Sequence, residues 1–286
     1  MKKLLKKTIK PLKRSLHLLM LINIVCTVTS FALVYFTGKK IQQYVTAIYS
    51  YLPQIQEWQQ TLAGGANLSD LDSINEVLAV INHSNTLIAI VTAISLVAFF
   101  LIICFFQSLE WNIAFKSLKK KIKMEDIFVG YLKYAIKFSI ITIPIFIILL
   151  SSMFYLFNQV KEVFNNIVMK MYGLEGIIAN PNYVLISILL IIMIFVSYYA
   201  AIVYVMLNKY KLKQAVQKSF SIAKNKLKTI MPLHLLLIIL IVPIVYIDSI
   251  LVQYIDFKIS VIASLLIYFF FVAYYQVLLT VMLEKE

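Results

Sequence analysis

The sequence predicts an all-α polytopic membrane protein with six transmembrane helices and both termini in the cytoplasm. Charged residues make up only 14% of the 286-residue chain, whereas soluble domains carry roughly 25%. Hydrophobic residues make up 62%, and the mean hydropathy is +0.87. So little polar surface cannot cover a water-soluble globule, and the apolar residues gather in runs as long as a membrane-spanning helix. A one-sided distribution of lysines sets the orientation that we expect.

Six apolar runs supply the predicted spans, because crossing the hydrocarbon core takes about 20 residues of helix. Glycine and proline occur only six times each, which argues against re-entrant loops and glycine-lined pores. Pro243 falls inside the fifth run, so we expect a kink in that span. The runs cover residues 17–37, 86–107, 139–157, 184–207, 229–247 and 259–283.

Basic residues concentrate on one side of this six-span arrangement. The N-terminus, residues 108–138, residues 208–228 and the C-terminus together hold 22 Lys and Arg against five acidic residues. The opposite side holds five lysines against eight acidic residues. The positive-inside rule therefore places the lysine-rich side, with both termini, in the cytoplasm. An added or missing span would scramble this separation, so the charges also favour a count of six.

The segment 38–85 is the one sizeable piece predicted to lie outside the membrane. Residues 41–60 are typical of a helix that continues the first span, and LAGGANL at 62–68 interrupts it. Ser69 with Asp72 then gives the N-cap signal of a second helix. A segment this short cannot hold a large core, so we expect a helical hairpin on the outer membrane face.

The sequence contains an internal repeat. Residues 121–144 align without gaps on residues 209–232, at an offset of 88 residues. Apolar positions in both copies follow the spacing i, i+3, i+4, i+8 and i+11, which is one stripe of an α-helix. Pro144 and Pro232 share a place in the first turn of the following span, where proline is tolerated. This alignment predicts two repeated units of span, amphipathic elbow helix and span, with elbow helices at about 120–138 and 209–228. We expect the apolar stripe of each elbow to enter the acyl boundary of the bilayer; in the second elbow this stripe is Leu212, Ala215, Val216, Phe220 and Ala223.

Residues 208–232 carry seven lysines and no acidic residue. Topology alone explains this charge, and no nucleic-acid-binding motif accompanies it, which argues against nucleic acid as a partner. The lipid bilayer is the predicted partner, with anionic head groups facing the elbow lysines. A membrane or cytoplasmic protein partner is left open. The predicted lipid contacts are Lys121, Lys123, Lys209, Lys211, Lys218, Lys224 and Lys228.

The run LKQAVQKSFSIAKNKLKTIMPLHLLLIIL, residues 212–240, is similar to a pattern in which a surface helix leads into a Leu/Ile-rich span. Ala215, Ser219, Phe220, Lys224 and Lys226 fit that pattern, roughly A-x-x-x-S-[FW]…K-x-[KR]. The chain thereby resembles a broad prokaryotic family of six-span proteins that is related to the membrane domain of glycerophosphodiester phosphodiesterases. The resemblance covers spans two to five and implies an architecture in a prokaryotic plasma membrane. It implies no catalysis, because no stretch outside the spans can hold the catalytic barrel.

Three polar side chains in or beside the spans are candidate site residues. By the 88-residue offset, Glu110 corresponds to Tyr198 inside the fourth span. Glu110 therefore either lies in the inner leaflet and binds a proton, a cation or a lysine, or lies at head-group level beside Trp111. We expect His234 and Gln276 to make polar contacts between helices. No spacing of His, Cys or carboxylate residues indicates a metal site, and we predict no cofactor.

No catalytic cluster is recognisable in the sequence. Intramembrane proteases need paired aspartates, a Ser/His pair or H-E-x-x-H, and the sequence indicates none of these. We therefore expect a non-enzymatic integral membrane protein with a scaffold, envelope or small transporter-like role. Two alternatives stay open. One is a permease-like subunit coupled to a cytoplasmic ATPase, towards which Q-A-V at 214–216 followed by I-M-P at 230–232 faintly points, and the other is a membrane-embedded lipid-processing enzyme.

Overall fold

A computed structural model describes residues 2–63, 71–118, 130–171, 183–240 and 257–284, together with 243, 244 and 246. Every regular element in these ranges is a helix, which confirms the all-α prediction. The helices in chain order are α1 (Lys2–Tyr49), α2 (Leu52–Ala63), α3 (Leu71–Lys116), α4 (Tyr131–Met171), α5 (Tyr183–Met206), α6 (Leu212–Asn225), α7 (Leu227–Ile239) and α8 (Phe257–Leu283).

Five of these helices, α1, α3, α4, α5 and α8, are long and apolar enough to cross a membrane. They cover the first four predicted runs and the sixth, except that α5 ends at Met206, one residue before its run does. Most of the surface of their apolar windows is exposed rather than buried inside the protein. Helices that are apolar all round and yet exposed are typical of membrane spans, because lipid covers them. The chain is therefore a multi-pass membrane protein by composition and helix length.

The fifth predicted run holds a short helix, α7, and then three further described residues that are helical, Pro243, Ile244 and Tyr246. The helix α7 within it has 13 residues, which gives a length of about 20 Å against a hydrocarbon core of about 30 Å. It ends at Ile239, four residues before Pro243. Proline lacks the N–H that would bond the carbonyl four residues earlier, and its ring collides with that carbonyl. The interruption after Ile239 thus lies where Pro243 disturbs the helical hydrogen bonds, as expected for a kink, and residues 241–242, 245 and 247 lie outside the described residues.

The predicted outer segment 38–85 is largely an extension of the first two spans. The helix α1 runs past residue 37 to Tyr49, and a turn at Ser50 and Tyr51 separates it from α2. The turn precedes Pro53 in the first turn of α2, a position that suits proline. The helix α3 already begins at Leu71 and continues through the second span. Ser69, the expected cap, lies outside the described residues.

The two elbow helices compare differently with the structure. The second elbow is present as α6, and a break at Lys226 separates it from α7. Residues 119–129 of the first elbow lie outside the described residues. Tyr131 begins α4, which runs without interruption to Met171, so residues 131–138 belong to the span rather than to an elbow. By the 88-residue offset, Phe138 corresponds to Lys226. The first predicted repeat has no break at Phe138, because α4 is continuous there.

The chain divides into two compact units, residues 1–24 with 104–286, and residues 25–103. In the first unit α8 contributes to two apolar cores. One core joins Ala273 and Val277 of α8 to residues of α1 and α3. The other joins Tyr275, Leu279 and Leu283 of α8 to α3, α4, α5, α6 and α7. In the second unit, the hydroxyls of Thr37 and Ser95 lie 2.7 Å apart and join α1 to α3.

The stripe of α6 packs mainly on protein, which corrects the expectation that it enters lipid. Ala215 and Ser219 are fully buried, and these small side chains let α6 approach α5 closely. The hydroxyls of Tyr198 and Tyr199 on α5 donate hydrogen bonds to the carbonyls of Ala223 and Val216 on α6, each at 3.0 Å. Of the expected stripe, Phe220 alone is exposed, at 69%. The stripe identified a buried face correctly, but that face is buried against α5.

Candidate functional site

Three basic side chains in the first unit cap the C-terminal ends of three helices. Arg14 Nη1 donates to the carbonyl of Ser117 just after α3, at 3.4 Å. Lys137 Nζ donates to the carbonyls of Leu207 and Tyr210 after α5, at 3.4 and 3.0 Å. The last carbonyls of a helix lack backbone partners and carry partial negative charge, so a cation stabilises them.

Lys209 provides the third cap, at the end of α8. Its Nζ donates to the carbonyl of Leu283 at 2.7 Å and also to that of Glu284. Lys209 was predicted to contact lipid, and the structure instead gives its ammonium group two backbone carbonyls. Lys209, one of the basic residues in 208–228, thus caps the C-terminal end of α8.

The other predicted lipid contacts divide into exposed lysines, one stacked lysine and two outside the described residues. Lys218 Nζ lies 4.0 Å from the centre of the Tyr210 ring, in a cation–π geometry. Lys121 and Lys123 lie outside the described residues. The exposed lysines are Lys211, Lys224 and Lys228.

Glu110 and Gln276, two of the three candidate site residues, are brought together by the packing of α3 on α8. The Nε2 of Gln276 donates to Oε2 of Glu110 at 2.7 Å. Both side chains are buried, at 1% and 2% exposure. Ala114 lies one turn after Glu110 and Ala273 one turn before Gln276, and both are fully buried in the same core. These methyl side chains let the two helices approach closely enough for a direct hydrogen bond.

The depth of the pair follows from its place in each helix. Glu110 lies six residues before the end of α3, and Gln276 lies seven before the end of α8. At a rise of 1.5 Å per residue, both side chains lie about 10 Å inside the ends of their helices. Glu110 therefore lies within the helix bundle, about 10 Å from the end of α3.

The hydrogen bonding of the pair is incomplete. The Oε1 of Gln276 is buried and has no hydrogen-bond partner among the residues that the structure describes. Among the described residues, Gln276 is also the one hydrogen-bond donor to Glu110, and no basic side chain pairs with that carboxyl group. The phenol of Tyr268 on α8 is a titratable group within electrostatic reach of it. The amide orientation is assigned from this bonding, and one amide atom stays unpaired whichever way the group is turned.

His234, the third candidate residue, forms a separate chain of hydrogen bonds. Its Nε2 lies 2.9 Å from the hydroxyl of Ser197 on α5, and its Nδ1 lies 2.8 Å from the hydroxyl of Tyr275 on α8. Ser197 also donates to the carbonyl of Ile194 at 3.0 Å. The chain joins α5, α7 and α8 through buried polar groups. Ser197 and Tyr275 were missed in the sequence, because a single hydroxyl in a span carries no signal of what it will face.

A Ser/His pair therefore exists, although the sequence indicated none. Catalysis by such a pair also needs N–H donors aimed at the developing oxyanion. Ser197 lies nine residues before the end of α5, where helical hydrogen bonds already occupy the backbone N–H groups. The geometry is thus that of a polar clamp between three helices.

No group of three or more His, Cys, Asp or Glu side chains suited to a metal ion occurs among the residues that the structure describes. The candidate site residues lie in two polar clusters, Glu110–Gln276 and Ser197–His234–Tyr275. Comparison of the chain with family models, with curated proteins and with solved structures found no match.

Proposed function

We propose that this chain is a non-enzymatic, transporter-like protein of a prokaryotic plasma membrane, and that it binds and releases a proton at the Glu110–Gln276 pair. One observation carries the proposal. A fully buried carboxyl group has a single hydrogen-bond donor, no described cation, and a buried amide with an unpaired oxygen beside it.

The presence of glutamate at position 110 supports a proton-binding role for this residue over a purely structural one. An isolated charge in an apolar interior is strongly unfavourable, so a buried carboxyl group without a cation holds a proton. A glutamine at this position would give the same shape and the same two hydrogen bonds to Gln276 as a protonated carboxyl group. An ionisable residue at membrane depth is by default a functional hypothesis, and here its ability to gain and lose a proton is what distinguishes it from glutamine.

Proton release follows if the contact between α3 and α8 opens. Water that enters the opened contact would hydrate the carboxylate and remove the penalty for charging it. Closure expels that water and favours the protonated form again. A two-state contact of this kind links proton occupancy to conformation, which is the basis of coupled transport.

The directions of α5, α7 and α8 support the proposal that the chain crosses the membrane six times. Lys209 follows α5 directly and caps α8, so both helices end at one face. Two parallel helices need a return crossing between them. His234, seven residues into α7, meets Ser197, nine before the end of α5; α7 therefore starts at this face and heads away from it. Residues 227–256 would supply the return, and the charge distribution would place the capped face in the cytoplasm.

The resemblance to the membrane domain of glycerophosphodiester phosphodiesterases enters the proposal as architecture only. It adds a prokaryotic origin and the elbow helix before a span, and it adds no catalytic residue. The exposed elbow lysines Lys211, Lys224 and Lys228 would face anionic head groups on the cytoplasmic side.

Carbodiimide labelling tests the proposal. A hydrophobic carbodiimide forms stable adducts with protonated carboxyl groups that are shielded from water. We expect an adduct at Glu110 in the protein held in lipid vesicles, and we expect its rate of formation to fall as pH rises. Glu76→Gln is the matched control, because it removes an exposed carboxyl from the same helix. Absence of a Glu110 adduct at every pH would contradict the proposal.

A further inference from the structure

A basic cavity lies at one face of the first unit, where α1, α3 and α8 meet. Its volume is about 440 Å³, which falls in the range of small-molecule sites. Lys7, Lys10 and Arg14 of α1 line it together with Leu118, Val281 and Glu284. None of these residues belongs to the Glu110–Gln276 pair or to the predicted lipid contacts.

The three cations share a face of α1 because they follow the spacing i, i+3 and i+7. Arg14 is held at the wall by the hydrogen bond of Nη1 to the carbonyl of Ser117. A guanidinium group has five N–H donors, so this bond leaves donors for a ligand. Lys13 lies between these residues in the sequence, is exposed and does not line the cavity.

The balance of charge in the cavity favours an anion. Three cations face one carboxylate, that of Glu284. The negative ends of α3 and α8 lie beside the cavity and would repel an anion. Arg14 and Lys209 offset these ends by hydrogen bonds to Ser117 after α3 and to Leu283 at the end of α8.

The position and the walls of the cavity favour a lipid over a free anion. Helix ends of membrane spans lie at the level of the head groups. Leu118 and Val281 give the cavity an apolar wall, which a phosphate ion cannot use and a glycerol ester can.

We propose that this cavity binds the head group of an anionic phospholipid, with its phosphate held by Lys7, Lys10 and Arg14. Guanidinium groups match phosphate oxygens in a two-point geometry. The two lysines add positive charge at the mouth, and the apolar wall receives the glycerol end of the lipid. The site does not depend on proton binding at Glu110.

Binding of short-chain lipids to the full chain in a neutral detergent tests the proposal. The probes are dioctanoyl phosphatidylglycerol, dioctanoyl phosphatidylcholine and inorganic phosphate, each titrated by calorimetry. Lys7→Gln/Lys10→Gln removes two charges from the cavity without disturbing the bond of Arg14. Lys13→Gln/Lys211→Gln is the matched control, because it removes two exposed lysines that do not line the cavity.

We expect phosphatidylglycerol to bind more tightly than the other two probes. The cavity variant should bind it about thirtyfold more weakly, at about fivefold for each near-surface lysine, and the control should stay within about threefold. Glu110→Gln should bind it like the unmodified protein. Equal weakening by the two double variants would overturn the site. Equal affinity for phosphatidylcholine would overturn the requirement for an anion, and equal affinity for phosphate would overturn the lipid.

Discussion

The amide of Gln276 donates to the carboxyl group of Glu110 at 2.7 Å, while its own oxygen is buried without a partner. The two residues stand 166 positions apart in the chain and come from two different spans. The pair is therefore a product of helix packing, and it leaves one hydrogen bond unmade.

Glu110→Gln is expected to stabilise the protein at a pH at which Glu110 has lost its proton. Two facing amides can exchange two hydrogen bonds, as an amide and a protonated carboxyl group also can, whereas a carboxylate only accepts and leaves the oxygen of Gln276 unpaired. The free energy of unfolding should rise by about 1 kcal/mol, as measured by denaturing-detergent titration in mixed micelles. Glu110→Leu is the contrasting variant, because it leaves the amide without any partner and should lower that free energy by about 1 to 3 kcal/mol. Equal destabilisation by both variants would show that the carboxyl group is needed for packing.

His234→Phe is expected to destabilise the protein more than either Ser197→Ala or Tyr275→Phe. It breaks both hydrogen bonds of the histidine and leaves two hydroxyl groups to find new partners. We expect a loss of about 2 to 3 kcal/mol for His234→Phe and about 1 kcal/mol for each single hydroxyl deletion. Ser151→Ala, at an exposed serine of α4, is the control. A fluorophosphonate adduct at Ser197 would contradict the clamp and indicate a reactive nucleophile.

Lys209→Met is expected to weaken the end of α8. It removes the ammonium group that bonds the carbonyls of Leu283 and Glu284. A hydrogen bond to a charged group contributes about 1.5 to 3 kcal/mol, and solvent weakens both bonds here because one is exposed and the other part-buried. A total loss of about 2 kcal/mol should therefore appear in the free energy of unfolding. Lys211→Met, two residues away and exposed, should change it by less than about 0.5 kcal/mol. Similar small effects of both variants would mean that Lys209 acts only as surface charge.

Ser219→Leu is expected to push α6 away from α5. Ser219 is fully buried, and added volume in a tight contact costs about 1 to 3 kcal/mol. Phe220→Leu changes a neighbouring residue that is 69% exposed, and it should be nearly neutral. Protease cleavage within residues 208–228 should accelerate in the first variant and stay slow in the second. The opposite order would place the lipid-facing and protein-facing sides of α6 the other way round.

The spans were predictable because a membrane-spanning helix needs about 20 consecutive apolar residues, and such runs are visible in the sequence. Five runs correspond to long helices for that reason. In the fifth run, by contrast, the helix α7 ends four residues before Pro243, and Pro243, Ile244 and Tyr246 are helical again. The loss of one backbone donor decides that end more strongly than the continuing hydrophobicity. The extension of α1 to Tyr49 was predicted from residues 41–60, whose pattern continues the helix.

The site was predictable in its members but not in its contacts. Glu110 and Gln276 stand out because a polar side chain within an apolar helix is energetically unfavourable in a membrane. Their pairing depends on which faces of α3 and α8 meet, which a single span does not specify. Ser197 stayed unnoticed because a serine in a span can bond its own helix, as it also does with Ile194. The stripe of α6 predicted a buried face, but amphipathicity does not say whether lipid or α5 buries it.

Infrared difference spectroscopy of the protein in lipid vesicles tests proton binding at Glu110 most directly. A protonated carboxyl group shielded from water has a carbonyl stretch separate from that of a carboxylate. The unmodified protein and the control Glu76→Gln should show this band, and the band should diminish as pH rises. Glu110→Gln should lack it. A band of full intensity in Glu110→Gln, or no such band in the unmodified protein at any pH, would contradict the account.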